Sequence, residues 1–187
     1  MRFSYFWSPN ILTPDDCDSI IETYEPQVHP STTFTHGEGT TGDEARKSNV
    51  VFIQDPEIKR VVATAVSQVN RYAFGFNIDL TEFDLQFTQY KAEDEGHYDW
   101  HIDTIPESVK GPQTPFFTRK VSTTILLSAA DDFEGGNLEI LSEHIPKEAR
   151  QKGAGIFFPS FMGHRVSPVT KGTRYSLVAW IEGPHFK

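Results

Sequence analysis

Three side chains able to hold a divalent metal, and a fourth able to hold a carboxylate, follow one another in a telling order along the chain. His101-Ile102-Asp103 precedes His164, and Arg174 follows ten positions later. Two neutral imidazoles and one carboxylate occupy one face of an octahedron and leave the other open. That is the donor set of a non-haem iron that must admit substrate and oxygen. Arg174 offers a planar fork that grips a carboxylate through two parallel hydrogen bonds. A rival pair, His97-Tyr98-Asp99, sits just upstream. On an unbroken strand His97, Asp99, His101 and Asp103 all share one face, so spacing does not choose between the pairs. Position favours Asp103, which falls where a strand gives way to a loop at the mouth of a barrel. His97 and Asp99 then read as polar residues of the rim.

The elements that must position these groups are legible from periodicity. Thr13-Pro14-Asp15-Asp16 is a helix start, and Cys17, Ile20, Ile21 and Tyr24 share one face of the helix before Pro26 ends it. Asp55-Pro56 starts a second helix with an apolar stripe of Ile58, Val61, Val62, Ala65, Val66 and Val69, stopped at Gly75. Residues 30–44, rich in Ser, Thr and Gly, read as a mobile loop, and 48–54 as a strand. From residue 80 the period changes to two. Phe83, Leu85, Phe87 and Gln89 alternate with Asp84, Gln86, Thr88 and Tyr90 as a half-buried strand. Further strands are predicted at 97–102, 121–128, 137–141, 155–158, 164–169 and 175–181, with turns at Gly135-Gly136, Lys152-Gly153 and Lys171-Gly172. Residues 104–119, with three prolines and a glycine, read as a loop over the site, a substrate lid. Two helices and about eight short strands predict a mainly β domain with flanking helices. The fold class is a double-sheet jelly roll with the helices on its outer face.

Composition narrows the classes of partner. A net charge of −9 argues against nucleic acid, which needs a cationic surface. The single cysteine, Cys17, excludes an internal disulfide framework and reads as a small buried hydrophobe. The first fourteen residues lack the apolar run and cleavage site of a signal peptide, and no apolar run reaches the roughly 20 residues of a membrane span. The expectation is a soluble, cytoplasmic protein without a membrane partner. Oligomeric state is not readable.

The region from about residue 83 to 181 carries a recognisable set of motifs. They are Tyr90, Gly96 and His101-Ile102-Asp103; Ser122-Thr123-Thr124-Ile125-Leu126-Leu127-Ser128; Glu134-Gly135-Gly136-Asn137-Leu138; and Pro159, Gly163, His164, Pro168, Gly172, Arg174 and Ser176. With them the chain resembles the Fe(II)/2-oxoglutarate-dependent dioxygenases, and within these the prolyl 4-hydroxylase-like and PKHD-type hydroxylases. Two departures stand out. The stretch from Gly96 to His101 is a residue shorter than in many relatives, and Asn137 stands where glutamate is common.

The resemblance implies a double-stranded β-helix (jelly-roll, cupin-like) in one domain spanning 1–187, with 1–79 as helical and strand support and 80–185 as the catalytic core. It implies that His101, Asp103 and His164 are the iron ligands and hence the catalytic residues. Arg174 would take the distal carboxylate of 2-oxoglutarate, with Tyr90, Thr124 and Ser176 around it. Trp180, Tyr98 and Trp100 would face the substrate. Fe(II), 2-oxoglutarate and O2 would be required, with L-ascorbate as reductant. The reaction implied is hydroxylation of a C–H bond, foremost of a peptidyl proline, with release of succinate and CO2. A peptide, a protein or a free amino acid would be the partner. The alternatives are a cupin-like zinc or manganese enzyme and a binding module that kept the fold. DNA-repair oxygenases fit poorly, since Ala179-Trp180 occupies the stretch where they carry a second arginine.

Overall fold

The computed structural model describes residues 1–35, 38–41, 44–104 and 117–186, with 32–35 and 38–41 as backbone only. In chain order the elements are β1 (Phe6–Ser8), α1 (Pro14–Tyr24), β2 (His29–Pro30), β3 (Thr32–Thr35), β4 (Glu38–Thr41), β5 (Arg46–Lys47), β6 (Asn49–Phe52) and α2 (Pro56–Val69). Then follow β7 (Asp84–Lys91), β8 (His97–His101), β9 (Phe117–Leu126), β10 (Phe133–Gly135), β11 (Leu138–Ile140), β12 (Gly155–Pro159), β13 (His164–Val166) and β14 (Val169–Pro184).

Both helices begin where their caps dictate. Thr13 Oγ1 accepts from the Asp16 amide at 3.1 Å while Asp16 Oδ2 accepts from the Thr13 amide at 3.0 Å. Such a reciprocal box contributes about 1 kcal/mol. Asp55 Oδ1 accepts from the amides of Glu57 at 2.8 Å and Ile58 at 3.1 Å. The helices bury Cys17 and Ile20 of α1, and Val62, Ala65, Val66 and Val69 of α2, against Leu85, Phe87, Val121, Ile125, Leu177, Ala179 and Ile181. They therefore back one face of a sheet. Truncating Phe87, fully buried at that seam, costs roughly 3–5 kcal/mol.

That sheet runs β1-β12-β9-β14-β7-β6-β2, antiparallel throughout, with β10 added beside the start of β14. A smaller antiparallel sheet runs β11-β13-β8-β5. Tyr90, Leu126 and Phe133 of the first meet Val166 of the second in one apolar cluster, and Ile156 and Phe158 meet Ile140 in another. The two sheets thus close face to face as a double-stranded β-helix. Along β14 the alternation is strict. Leu177, Ala179 and Ile181 point to the helices, and Arg174, Ser176, Val178 and Trp180 point into the barrel.

Several local expectations are corrected. Residues 30–44 are not simply a loop: β3 and β4 pair from Thr32↔Thr41 to Thr35↔Glu38, a ribbon consistent with the β-preference of its branched threonines. The strand at β7 is not half-buried but buried on both faces, because its polar face lines the barrel interior instead of meeting water. Lys171-Gly172 is not a turn: β14 runs through it for 16 residues, pairing there with β10. The strand from His164 ends at Val166, and Val169 already belongs to β14. Residues 117–119, expected in the lid, open β9; the rest of that lid, 105–116, lies outside the described residues. Strands β1, β2, β5 and β10, two or three residues each, are too short to show a period.

Candidate active site

His101 ends β8, His164 begins β13, and these two residues are register partners across the smaller sheet. Asp103 lies just past β8, where its amide and that of Thr104 both donate to the Ser160 carbonyl, at 2.9 and 3.1 Å. The ligand atoms of the three side chains lie within 4.8 Å of one another. His101 Nε2 is 3.6 Å from Asp103 Oδ1, and His164 Nε2 is 3.4 Å from Oδ2.

Backbone carbonyls orient both rings. His101 Nδ1 lies 2.7 Å from the Asp99 oxygen and His164 Nδ1 2.9 Å from the Met162 oxygen. A carbonyl only accepts, so each Nδ1 carries the proton and each Nε2 turns a lone pair toward Asp103. Burial, then the neighbouring His164, brings His101 down to about 4, which keeps it neutral near pH 7. Burial alone would raise the Asp103 carboxyl. Its contacts with His164, His101 and the Ser122 hydroxyl outweigh that and hold it well below the carboxylate range. Two lone pairs and a carboxylate facing one another repel unless a cation stands between them. The nitrogen and oxygen donors fit Fe(II).

The rival pair is turned away. The register shifts by one residue between His164↔His101 and Val166↔Tyr98, a bulge that breaks the single-face alternation expected of residues 97–103. Tyr98, not Asp99, then joins His101 inside, its ring stacked at 3.6 Å and 16°. His97 is spent on carbonyls, with Nδ1 2.7 Å from the Glu95 oxygen and Nε2 2.9 Å from that of Glu44. Asp99 is exposed.

Arg174 is 4 % exposed. Its Nη1 donates to Ser176 Oγ at 2.9 Å, and its guanidinium carbon lies 5.5 Å from the centre of the Tyr90 ring. Among the described residues no carboxylate pairs with it. Burial is the main cause that brings it down to about 10, so it still carries its charge at neutral pH. A buried cation without a counterion is costly, and an anionic ligand relieves that cost. Arg174, Tyr90, Thr124 and Ser176 share with His101, Asp103 and His164 the walls of one cavity of about 40 Å³. Arg174 would receive a carboxylate beside the three side chains that could hold a metal.

Trp180 and Tyr98 line the same cavity, whereas Trp100, exposed and with the Arg165 guanidinium 5.1 Å from its ring, lines a larger cavity next to it. The Nε1–H of Trp180 is buried and without a hydrogen-bond partner among the described residues, and Arg119 lies 4.5 Å from its ring. His144 is exposed.

Four residues that hold the site escaped the sequence reading. Ser122 Oγ donates to Asp103 Oδ2 at 2.6 Å, and the Ser160 hydroxyl lies 2.9 Å from Ser122 Oγ. Arg46 covers Tyr98 at 4.6 Å, and Arg119 covers Trp180. Ser122 had a usable signal, since it lies two positions before Thr124 on one strand face. The arginines and Ser160 had none.

Known proteins place this geometry in a family. The 2OG-Fe(II) oxygenase superfamily profile matches residues 85–182. A PKHD-type hydroxylase from Polaromonas sp. is 28 % identical over 180 residues, 93 % of this chain and 76 % of that protein. One from Paracoccus denitrificans is 26 % identical over 187 residues, with the same coverage. The fold is shared with the viral collagen prolyl hydroxylase of Paramecium Bursaria Chlorella virus-1 in its 2OG complex, at TM-score 0.69 and 19 % identity over 97 % of each chain. It is shared too with a prolyl hydroxylase from Trichoplax adhaerens in complex with a hypoxia inducible factor oxygen degradation domain peptide fragment. There the TM-score is 0.67 and the identity 18 %, over 95 % of this chain and 83 % of that one. The chain belongs to the 2OG-Fe(II) oxygenase superfamily and is an Fe(II)- and 2-oxoglutarate-dependent oxygenase.

Proposed function

We propose that this oxygenase is a PKHD-type hydroxylase that inserts one oxygen atom into a C–H bond of a peptidyl proline. His101, Asp103 and His164 hold the iron, and Arg174, with Ser176, Tyr90 and Thr124, holds the far carboxylate of 2-oxoglutarate. The observation that carries this is the buried Arg174, with no carboxylate partner among the described residues, on the wall of the cavity that His101, Asp103 and His164 line. Iron held there would let O2 act as the oxidant, one oxygen atom going into the C–H bond and the other to 2-oxoglutarate, which would leave as succinate and CO2, with L-ascorbate keeping the metal reduced.

The protein's own share is orientation and exclusion of water. The Asp99 and Met162 carbonyls fix the imidazole rings, and Ser122 fixes the carboxylate. The ring of Tyr98 and the indole of Trp180 wall the cavity on the substrate side. The unpartnered Trp180 Nε1–H suits a peptide carbonyl, which supports an extended peptide over a free amino acid. The names of two fold neighbours, a collagen prolyl hydroxylase and a prolyl hydroxylase in complex with a peptide fragment, point the same way. Residues 1–79 act with the barrel as one catalytic unit, since β1, β2 and β6 extend its larger sheet. Among the described residues no helix is long and apolar enough to cross a membrane, and we place the enzyme in the cytoplasm.

The deciding experiment incubates proline-containing peptides with the protein, Fe(II), 2-oxoglutarate and ascorbate, and reads the products by mass spectrometry. One added oxygen on proline, with succinate in equal amount, is the expected result. Hydroxylation confined to free amino acids would overturn the peptide assignment.

A further inference from the structure

A larger cavity, of about 800 Å³, meets the metal-side cavity at Thr124, Leu138 and Arg174, and Arg150 stands on its wall. Arg150 Nη2 donates to the carbonyl of Gly135 at 2.8 Å and reaches that of Phe133 at 3.4 Å. Its Nη1 donates to Asn137 Oδ1, and its guanidinium carbon lies 4.3 Å from the Phe133 ring. Three of its five N–H donors are thus given to neutral acceptors of one turn, which makes Arg150 a brace of that turn.

The turn is Gly135-Gly136, both residues left-handed at φ 73° and 57°. Their N–H side is held by the following segment: Gly136 N donates to the Pro168 carbonyl at 3.0 Å, and Asn137 N to Ser167 Oγ at 2.9 Å. Arg150 holds the carbonyl side. The turn in turn walls in the co-substrate anchor. A Cβ on Gly136 would stand 2.9 Å from Arg174 Cδ and 2.9 Å from Val169 Cγ2. Two successive glycines are the most freely moving backbone a chain can have, and here Gly136 lies against the stem of the one side chain whose position sets co-substrate binding.

We infer that Arg150 is a positioning residue for 2-oxoglutarate: by clamping the Phe133–Asn137 turn it fixes where the Arg174 guanidinium stands. This rests on the reading that Arg174 anchors the co-substrate. It also gives Asn137 a role, as the neutral acceptor that completes the clamp.

The test titrates 2-oxoglutarate calorimetrically into the Mn(II)-loaded protein, for wild type, Arg150→Ala, Arg150→Lys and Asn137→Ala. Arg150→Ala is expected to weaken 2-oxoglutarate binding on the order of tenfold, as loss of an orienting partner does. Arg150→Lys, a point charge that cannot span three acceptors, restores only part of it. Asn137→Ala shifts affinity the same way by less. Mn(II) affinity without 2-oxoglutarate stays at the wild-type value, and the KM for 2-oxoglutarate rises while kcat at saturation holds. Wild-type 2-oxoglutarate affinity in folded Arg150→Ala overturns the inference. If that variant does not fold, wild-type affinity in both Arg150→Lys and Asn137→Ala does so. A wild-type protein that takes no 2-oxoglutarate would instead bring down the functional reading, and this inference with it.

Discussion

Ser122 Oγ donates to Asp103 Oδ2 at 2.6 Å, with both residues buried and the Ser160 hydroxyl 2.9 Å behind. One hydroxyl proton cannot serve two acceptors, so Ser160 donates to Ser122 and Ser122 to the carboxylate. Ser122→Ala frees that oxygen and lets the carboxylate turn. Fe(II) or Mn(II) affinity, titrated into the metal-free protein, should fall roughly ten- to a hundredfold. An unchanged affinity would show that the Asp103 amide bond to Ser160 suffices to hold the group.

His101→Ala, Asp103→Ala and His164→Ala each remove one of three donors. Each should abolish iron-dependent succinate release, while the fold survives because the helix-backed core lies on the opposite face of the larger sheet. Succinate production and circular dichroism, measured on the same samples, check this. Wild-type turnover in any of the three would strike that residue from the ligand set.

Arg174 carries two opposite effects. Arg174→Met removes the carboxylate fork, so the 2-oxoglutarate requirement should rise on the order of a hundredfold, the loss of a charge-assisted pair. It also removes a buried charge that has no counterion among the described residues. The ligand-free variant should therefore melt higher than wild type, yet gain nothing from added 2-oxoglutarate. Thermal melts with and without 2-oxoglutarate read both effects at once. A lower melting temperature without ligand would refute the uncompensated-charge account.

How far the sequence carried depends on the scale of the signal. The caps at Thr13 and Asp55 and the stripe on α2 are local chemistry, and they appear as read. His101, Asp103, His164 and Arg174 were legible as a set because their donor types are few. The face they share was not, since it depends on the one-residue bulge opposite His164 and Val166. A bulge has no period. The polar face of β7 read as solvent-facing because alternation reports polarity, not what lies opposite, and there the opposite wall is another sheet. Arg150 and Ser160 matter through contacts with residues far along the chain, which no spacing rule encodes.

Cys17 lies in α1 beneath the larger sheet, fully buried, and burial is the main cause that pushes its thiol from 9.0 up to about 11. Asp18 and Asp16 add to the rise, while Lys152 and the Gly153 amide oppose it. The folded protein thus holds this proton to higher pH than the unfolded chain does. The stability it contributes is complete below about pH 9 and is lost as pH rises through about 11. Over that window the loss amounts to roughly 2–3 kcal/mol, on the scale of 1.36 kcal/mol per unit. Denaturant unfolding at several pH values between these limits, for wild type and Cys17→Ala, isolates the effect from other titrating groups. Wild type should lose stability more steeply than the variant, and its thiol should resist alkylation at pH 8 until the chain unfolds. Parallel pH profiles for the two proteins, or rapid alkylation of the folded protein, would mean that the α1 interface opens more readily than its packing implies.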